Sequence, residues 1–290
     1  SPQAILEAGE EQLLGAKGIG PAAAQGILRQ RSSISPAAEI ERAAKIGAEI
    51  VTQVDKDYPK PLAQIHDPPL ALYVLGKLLP ADRRAMAVVG SRHTTFYGRE
   101  TAESMAYQLV HAGFTVVSGL ARGIDTAAHR GALKARGRTI AVLGGGLDCV
   151  YPAENKQLAA EIAQSGAVLS EFPMGRVPDK TTFPIRNRIV SGLSMGVLVV
   201  EAGLASGALI TANQALDQGR CVFAVPGRVD SPSSKGAHML IKNGARLAET
   251  VDDILQEFEF LIPRPGRACP EPAGAPSFAP LDDEEKKIIL

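Results

Sequence analysis

Phe114-Thr115-Val116-Val117-Ser118-Gly119-Leu120-Ala121-Arg122-Gly123-Ile124-Asp125 decides the fold class. An apolar run without alternation ends in a turn of small residues, and a helical stretch comes next. A strand that is apolar on both sides is covered on both faces, as in a parallel sheet with helices above and below. Five further runs repeat the pattern: Met86 to Val89, Thr139 to Leu143, Ala167 to Leu169, Val197 to Val200 and Cys221 to Val225. Their regular interruption by helices predicts an α/β chain with a doubly wound, mostly parallel sheet of about six strands. Ligands of such sheets bind in the crevice beyond the carboxyl ends of the strands, so the chemistry is expected in the residues just past each run.

Those exits read Gly90-Ser91-Arg92, Ser118 to Asp125, Gly144-Gly145-Gly146-Leu147-Asp148, Ser170-Glu171, Glu201-Ala202-Gly203 with Ser206-Gly207 beyond it, and Pro226-Gly227-Arg228. Small residues let backbone amides approach an anion closely. The loop Ser118-Gly119-Leu120-Ala121-Arg122-Gly123 is therefore expected to seat a phosphate at a helix start, against the alternative of a plain tight turn with Arg122 solvated. Asp125 is expected to cap that helix and His129 to partner the loop. In Phe183-Pro184-Ile185-Arg186-Asn187-Arg188, the proline marks a first helical turn, and two arginines come directly after it, where the macrodipole disfavours cations. Either an anion lies there or the arginines pair internally with Glu171 or Glu201. Between Pro173 and Val190 the bases Arg176, Lys180, Arg186 and Arg188 face the single acid Asp179. Phe183 is either a base-stacking platform or core.

The 290 residues balance 31 Lys+Arg against 31 Asp+Glu and are 45% hydrophobic, a globular composition that excludes wholesale disorder and collagen-like repeats. Any affinity for a polyanion must then come from local clustering. Cys149, Cys221 and Cys269 stand too far apart for a disulfide framework or a zinc site, which fits a reducing cytosol. No apolar run approaches the ~20 residues of a membrane span, and no export segment opens the sequence. The first strand exit lacks G-x-G-x-x-G, no G-x-x-x-x-G-K-[ST] occurs, and the five histidines show no metal-ligand spacing. Glu171 and Glu201 are candidates for a paired acid and base, weighed against orienting arginines or accepting loop N–H groups.

Residues 1–50 read as short helices, with a helix-hairpin-helix pattern at Gly18-Ile19-Gly20-Pro21. Residues 51–79 read as a strand-containing connector that opens a core reaching residue 262. Six prolines then mark 263–280 as a stiff linker, and 281–290 read as the start of a helix. Both ends are expected to be cut from a longer chain.

Taken in order, Gly90-Ser91-Arg92, the Ser118 to Asp125 loop, His129, Tyr151-Pro152, Ser170-Glu171-Phe172-Pro173, Phe183 to Arg188, Ser206-Gly207, Thr211-Ala212 and Pro226-Gly227 resemble the DNA-processing protein A family (DprA/Smf). The resemblance implies an extended Rossmann-like core, preceded by a SAM-like or helix-hairpin-helix module and succeeded by a winged-helix module, here truncated. It implies a cytoplasmic, non-catalytic homodimer without cofactor or metal. Such a protein binds and protects single-stranded DNA in natural transformation and recombination and loads RecA onto it. By resemblance Arg92, Arg122, Arg186 and Arg188 take the DNA backbone, with Ser91, Ser118, Gly119, Gly123, Phe183, Asn187, Ser206 and Gly207 around them. Lys180, Lys235 and Lys242 are added on charge and position. Replacing Arg186 or Arg188 by Glu is then expected to weaken strand binding with little change in melting. The alternative is a nucleoside-monophosphate phosphoribohydrolase of similar layout, with a Pro-Gly-Gly-x-Gly-Thr loop and a catalytic Glu. Here Glu201-Ala202-Gly203-Leu204-Ala205-Ser206-Gly207 stands near the corresponding place, a departure that argues against hydrolysis.

Overall fold

In the computed structural model, which describes residues 2–31 and 35–258, all six apolar runs are strands. The chain begins with four short helices, α1 (Pro2–Glu7), α2 (Glu10–Leu14), α3 (Pro21–Arg31) and α4 (Pro36–Lys45). Pro21 opens α3 after Gly18, whose φ of +90° only glycine adopts without strain. Next come β1 (Ala48–Thr52), α5 (Lys60–Ala63) and β2 (Ala71–Gly76). The expected strands then alternate with their helices: β3 (Ala85–Val89), α6 (Phe96–His111), β4 (Thr115–Ser118), α7 (Ile124–Lys134), β5 (Thr139–Val142), α8 (Lys156–Ser165), β6 (Ala167–Ser170), α9 (Thr182–Gly192), β7 (Gly196–Val199), α10 (Gly207–Asp217) and β8 (Cys221–Ala224). After α11 (Lys235–Lys242) the two-residue strand β9 (Arg246–Leu247) ends the sheet.

The sheet has nine strands in the order β1-β2-β6-β5-β4-β3-β7-β8-β9, three more than the apolar runs announce. β1 and β2 pair antiparallel, and β2 joins β6 antiparallel with Tyr73 opposite Ser170. Both are only partly buried, so they lack the continuous apolar run that marks the others. β9 is too short and too exposed to carry a pattern.

Alternate residues of one strand enter two different cores, which is the reason the runs are continuous. Ile140 and Val142 of β5 join Ala87, Val117, Leu169 and Val199 in one cluster, roofed by Ile189, Val190, Leu209 and Ala212 of α9 and α10. Ala141 and Val168 point the other way, toward Leu158 and Ile162 of α8. At roughly 1.5–3 kcal/mol for each fully buried large apolar side chain, these two layers supply most of the driving force for folding.

The compact unit runs to Val251, where helix α12 (Val251–Glu257) begins, and from Asp252 the chain belongs to a second unit, described through residue 258. The boundary expected at residue 50 falls inside β1. Helix α4 is tied to the core, since Ala43 is buried there and Glu39 accepts hydrogen bonds from the Tyr73 hydroxyl (2.8 Å) and the Met174 N–H (2.6 Å). The expected linker at 263–280, the helix start at 281–290 and Cys269 lie outside the described residues.

From β3 the chain winds outward through β4, β5 and β6, then returns to the other side of β3 as β7. The order therefore reverses at β3, where diverging connections leave a crevice at the strand ends. The two halves meet through the Ser91 N–H, which donates to the Glu201 carbonyl (2.7 Å), and the Ile124 N–H, which donates to the Ser91 carbonyl (3.2 Å).

Candidate nucleic-acid interface

The crevice has two adjoining lobes of about 240 and 530 Å³. Both are lined by Arg92, His93, Gly119, Ala121, Phe183 and Arg186. Gly144, Gly145, Tyr151 and Arg122 close the smaller lobe, while Ser91, Lys180, Asn187, Ser206 and Gly207 line the larger.

The loop after β4 is built differently from the phosphate seat expected of it. The Asp125 carboxylate, one residue inside α7, accepts the N–H groups of Gly119 (3.1 Å) and Ala121 (3.2 Å). These amides already hold an internal anion, so a phosphate cannot take them. Asp125 is thus a brace for the loop and not a helix cap; Gly123, at φ +77°, holds the cap position. A Cβ at Gly123 would overlap the Ser91 carbonyl, which explains the glycine on steric grounds alone. Leu120 also adopts a positive φ of 56°, a conformation that costs a non-glycine residue roughly 1–2 kcal/mol. Complete burial of its side chain and a hydrogen bond from Asn155 Nδ2 to its carbonyl (2.9 Å) hold it there.

Arg186 is the centre of the site and is 4% exposed. Its Nη1 donates to the carbonyls of Val142 and Gly119, and its Nε donates to Asn187 Oδ1 (3.1 Å). The guanidinium therefore joins the ends of β4 and β5. A Cβ at Gly119 would overlap it, so glycine is required there by close approach. Burial lowers the Arg186 pKa to about 10, opposed by attraction to Asp125, whose own pKa is raised by burial. The two charges stabilise each other inside the floor of the crevice.

Arg92 and Lys180 are exposed above that floor. Arg92 lies over the Phe183 ring at 4.7 Å, and Phe183 in turn sits on Gly144, where a Cβ would stand 2.8 Å from the ring. Glu201, 5% exposed, accepts the hydroxyl of Thr94 (2.5 Å) and the N–H of Thr95 (3.0 Å). It orders the segment that carries Arg92, in keeping with the reading of Glu201 as an acceptor of loop N–H groups.

Arg188 departs from expectation. It donates two bonds to Glu171 (2.8 and 2.6 Å) and one to Asp67 (3.2 Å), and it does not line the crevice. One residue separates it from Arg186 but turns it about 200° around α9, toward an internal partner. Ser118 is fully buried and donates to the Val88 carbonyl (2.7 Å), again below the surface. Lys235 and Lys242, at the two ends of α11, are exposed but stand outside the lining, as does Gly123. Arg176 is paired with Asp179 at 2.6 Å.

His129 makes its hydrogen bond with Thr139 and with no loop residue among those described. Thr139 gives its single hydroxyl proton to the Val116 carbonyl (2.8 Å), so its oxygen accepts from His129 Nδ1–H (2.7 Å), which assigns the tautomer. Nε2 is left buried without a partner. Burial, with Arg186 adding to it, lowers the His129 pKa from 6.5 to about 3. Below pH 6.5 the unfolded chain takes a proton that the native imidazole refuses, so stability is lost as pH falls toward 3. The slope is up to about 1.4 kcal/mol per pH unit. Asp125 acts oppositely, its raised pKa favouring the native state at lower pH. The difference between wild type and His129→Asn in urea midpoints at pH 6.5 and 4 isolates the imidazole. Equal pH dependence of the two proteins would contradict this assignment.

Glu154 has no counterpart among the sequence expectations. It takes a two-pronged ion pair from Arg122 (2.8 and 2.8 Å) on the exposed rim, which raises the Arg122 pKa and lowers its own. A rim carboxylate more than thirty positions along the sequence carries no motif, so nothing local points to it. Among the described residues no group of three or more His, Cys, Asp or Glu is placed to hold a metal ion.

Residues 49–259 match the family described as DNA recombination-mediator protein A. Protein Smf of Synechocystis sp. is 42% identical over 243 residues, 82% of this chain and 61% of that protein. DNA processing protein DprA of Bacillus subtilis is 45% identical over 203 residues, 70% of this chain and 68% of that one. The chain thus spans about three fifths to two thirds of the length of these two relatives. The X-ray structure of DprA from Streptococcus pneumoniae superposes with a TM-score of 0.76 at 39% identity, covering 89% of this chain and 93% of that one. DNA processing protein A from Helicobacter pylori, described for its single-stranded DNA binding mode, gives 0.67 at 30% identity over 75% and 98%. The parallel strands, the switch point and the crevice all fall within the matched span, and the chain belongs to the DNA recombination-mediator protein A (DprA/Smf) family.

Proposed function

We propose that the chain binds single-stranded DNA in the strand-end crevice, protects it and loads RecA onto it in natural transformation and recombination. On this reading it works in the cytoplasm as a homodimer and catalyses no reaction on the strand. One observation carries the reading. Among the described residues Arg92 and Lys180 stand exposed in one crevice without an ion pair, beside an aromatic ring, whereas Arg122, Arg176, Arg188 and Arg228 are all matched to acids. Unmatched cations next to a ring suit a phosphate backbone whose bases are free to stack, which is the chemistry of a single strand. The single-stranded DNA binding described for the Helicobacter pylori relative supports the same ligand. Glu201, the residue nearest a hydrolase's catalytic position, is already occupied by Thr94 and Thr95. No helix among the described residues is long and apolar enough to cross a membrane.

Fluorescence anisotropy of a labelled oligothymidine against its duplex counterpart, at two salt concentrations, tests the reading. Preference for the single strand that weakens with salt is expected. Absence of binding, or release of free base from nucleoside monophosphates, would overturn it. Within this reading Glu154 competes with phosphate for Arg122. Glu154→Gln is therefore expected to tighten single-strand binding about two- to threefold at low salt, with the gain fading as salt screens the pair. An unchanged Kd at every salt concentration would show that Arg122 takes no part.

A further inference from the structure

We propose that Phe96, with Arg99 over its ring, is a second base-stacking platform that carries the single-strand track out of the crevice onto the first turn of α6. The inference rests on the DNA-binding reading and adds a contact outside the crevice lining. Phe96 is 65% exposed, a large apolar ring left in water at the rim. The Arg99 guanidinium lies 5.5 Å from its centroid and carries no ion pair among the described residues. This repeats the arrangement of Arg92 over Phe183 in the crevice. A cation beside an aromatic face meets both halves of a nucleotide, the phosphate and the base.

Position supports continuity between the two platforms. Three residues separate Arg92 from Phe96, at most about 14 Å of chain, so a strand held at Arg92 reaches Phe96 within a few nucleotides. Along α6, Phe96, Glu100 and Glu103 share one face. Glu103 accepts from Lys134 of α7 (3.0 Å), and a Cβ at Gly131 of α7 would overlap the Glu103 carbonyl, so this face runs along the α6–α7 seam. Phe96 stands at the end of that seam nearest the strand exits, where α7 begins after Arg122 and Gly123. Exposed Glu100, one turn deeper, disfavours phosphates running down the helix and confines the contact to the ring and Arg99.

The sequence contains no tryptophan, so Phe96→Trp introduces a single fluorescent reporter at the site. Wild type, Phe96→Ala and Phe96→Trp are titrated with oligothymidines stepped from about four to about sixteen nucleotides, the range of sites held by single-strand-binding folds. The shortest oligomers are expected to bind wild type and Phe96→Ala alike. Longer ones are expected to gain affinity on wild type, with Phe96→Ala left roughly tenfold weaker. Phe96→Trp keeps the gain, and its emission is quenched only by the longer oligomers. Equal affinities of wild type and Phe96→Ala at every length would overturn the proposal, as would tryptophan emission unmoved at saturation by a long oligomer. Emission that tracks protein concentration instead of DNA would assign the ring to a contact with a second copy and overturn it too. Failure of wild type to bind any oligomer would remove the DNA-binding reading itself, and the platform with it.

Discussion

Arg186→Glu is expected to unfold the core or lower its melting temperature by about 10 °C or more, whatever it does to DNA binding. The wild-type guanidinium is buried, donates to two main-chain carbonyls at the ends of β4 and β5, and is attracted to buried Asp125. A carboxylate in its place would face those carbonyl oxygens and add a second negative charge beside Asp125. Removing one member of a buried charged network costs about 3–5 kcal/mol because the other is left uncompensated. Arg186→Lys keeps the charge but loses the planar fork that reaches both carbonyls, so an intermediate loss is expected. Thermal melts monitored by circular dichroism decide the matter. An Arg186→Glu protein that melts within a degree or two of wild type would show that the residue serves the crevice surface and not the floor. The sequence alone predicts that opposite behaviour, weakened binding at unchanged stability.

Arg92→Glu and Lys180→Glu are expected to do what the sequence predicts of Arg186. Both side chains are exposed and form no ion pair among the described residues, so reversing either charge leaves the core untouched and places repulsion where a phosphate would lie. Single-strand affinity should fall roughly tenfold or more for each, uniformly across sequences. Loss of one phosphate contact should also reduce the slope of log K against log salt by about 0.7. Arg188→Glu supplies the contrast, since it would set a third acid against Glu171 and Asp67 and alter melting more than binding. Anisotropy titrations at several salt concentrations, run beside melts of the same proteins, separate the two classes. If Arg92→Glu bound as wild type does, the crevice would not be where the strand lies.

The contrast between Arg186 and Arg188 shows what a motif conveys. Both come after Pro184 in a helix start that disfavours cations, and the sequence reading expects a partner for each, either a bound anion or one of the carboxylates Glu171 and Glu201. Its identity depends on which strand ends the helix is packed against. For Arg188 it is Glu171, seventeen residues back and one of the two internal partners weighed. For Arg186 it is a pair of backbone carbonyls, which have no sequence pattern at all. The loop Ser118 to Gly123 gives the same lesson. Small residues correctly mark close approach by an anion, but the anion is the protein's own Asp125.

The six doubly covered strands, their alternation with helices and the end of the sheet that holds the crevice were legible in the residues alone. These arise from short-range periodicity, and the continuous runs reflect burial on both faces. Packing set the strand order that opens the crevice at β3, the antiparallel pair β1 and β2, the Arg122 to Glu154 contact, and which basic side chains stay without an ion pair above the floor among the described residues. Those depend on contacts between residues tens of positions apart. At that range charge and size are satisfied by whichever group the packed sheet brings within reach, and local patterning carries no record of the partner.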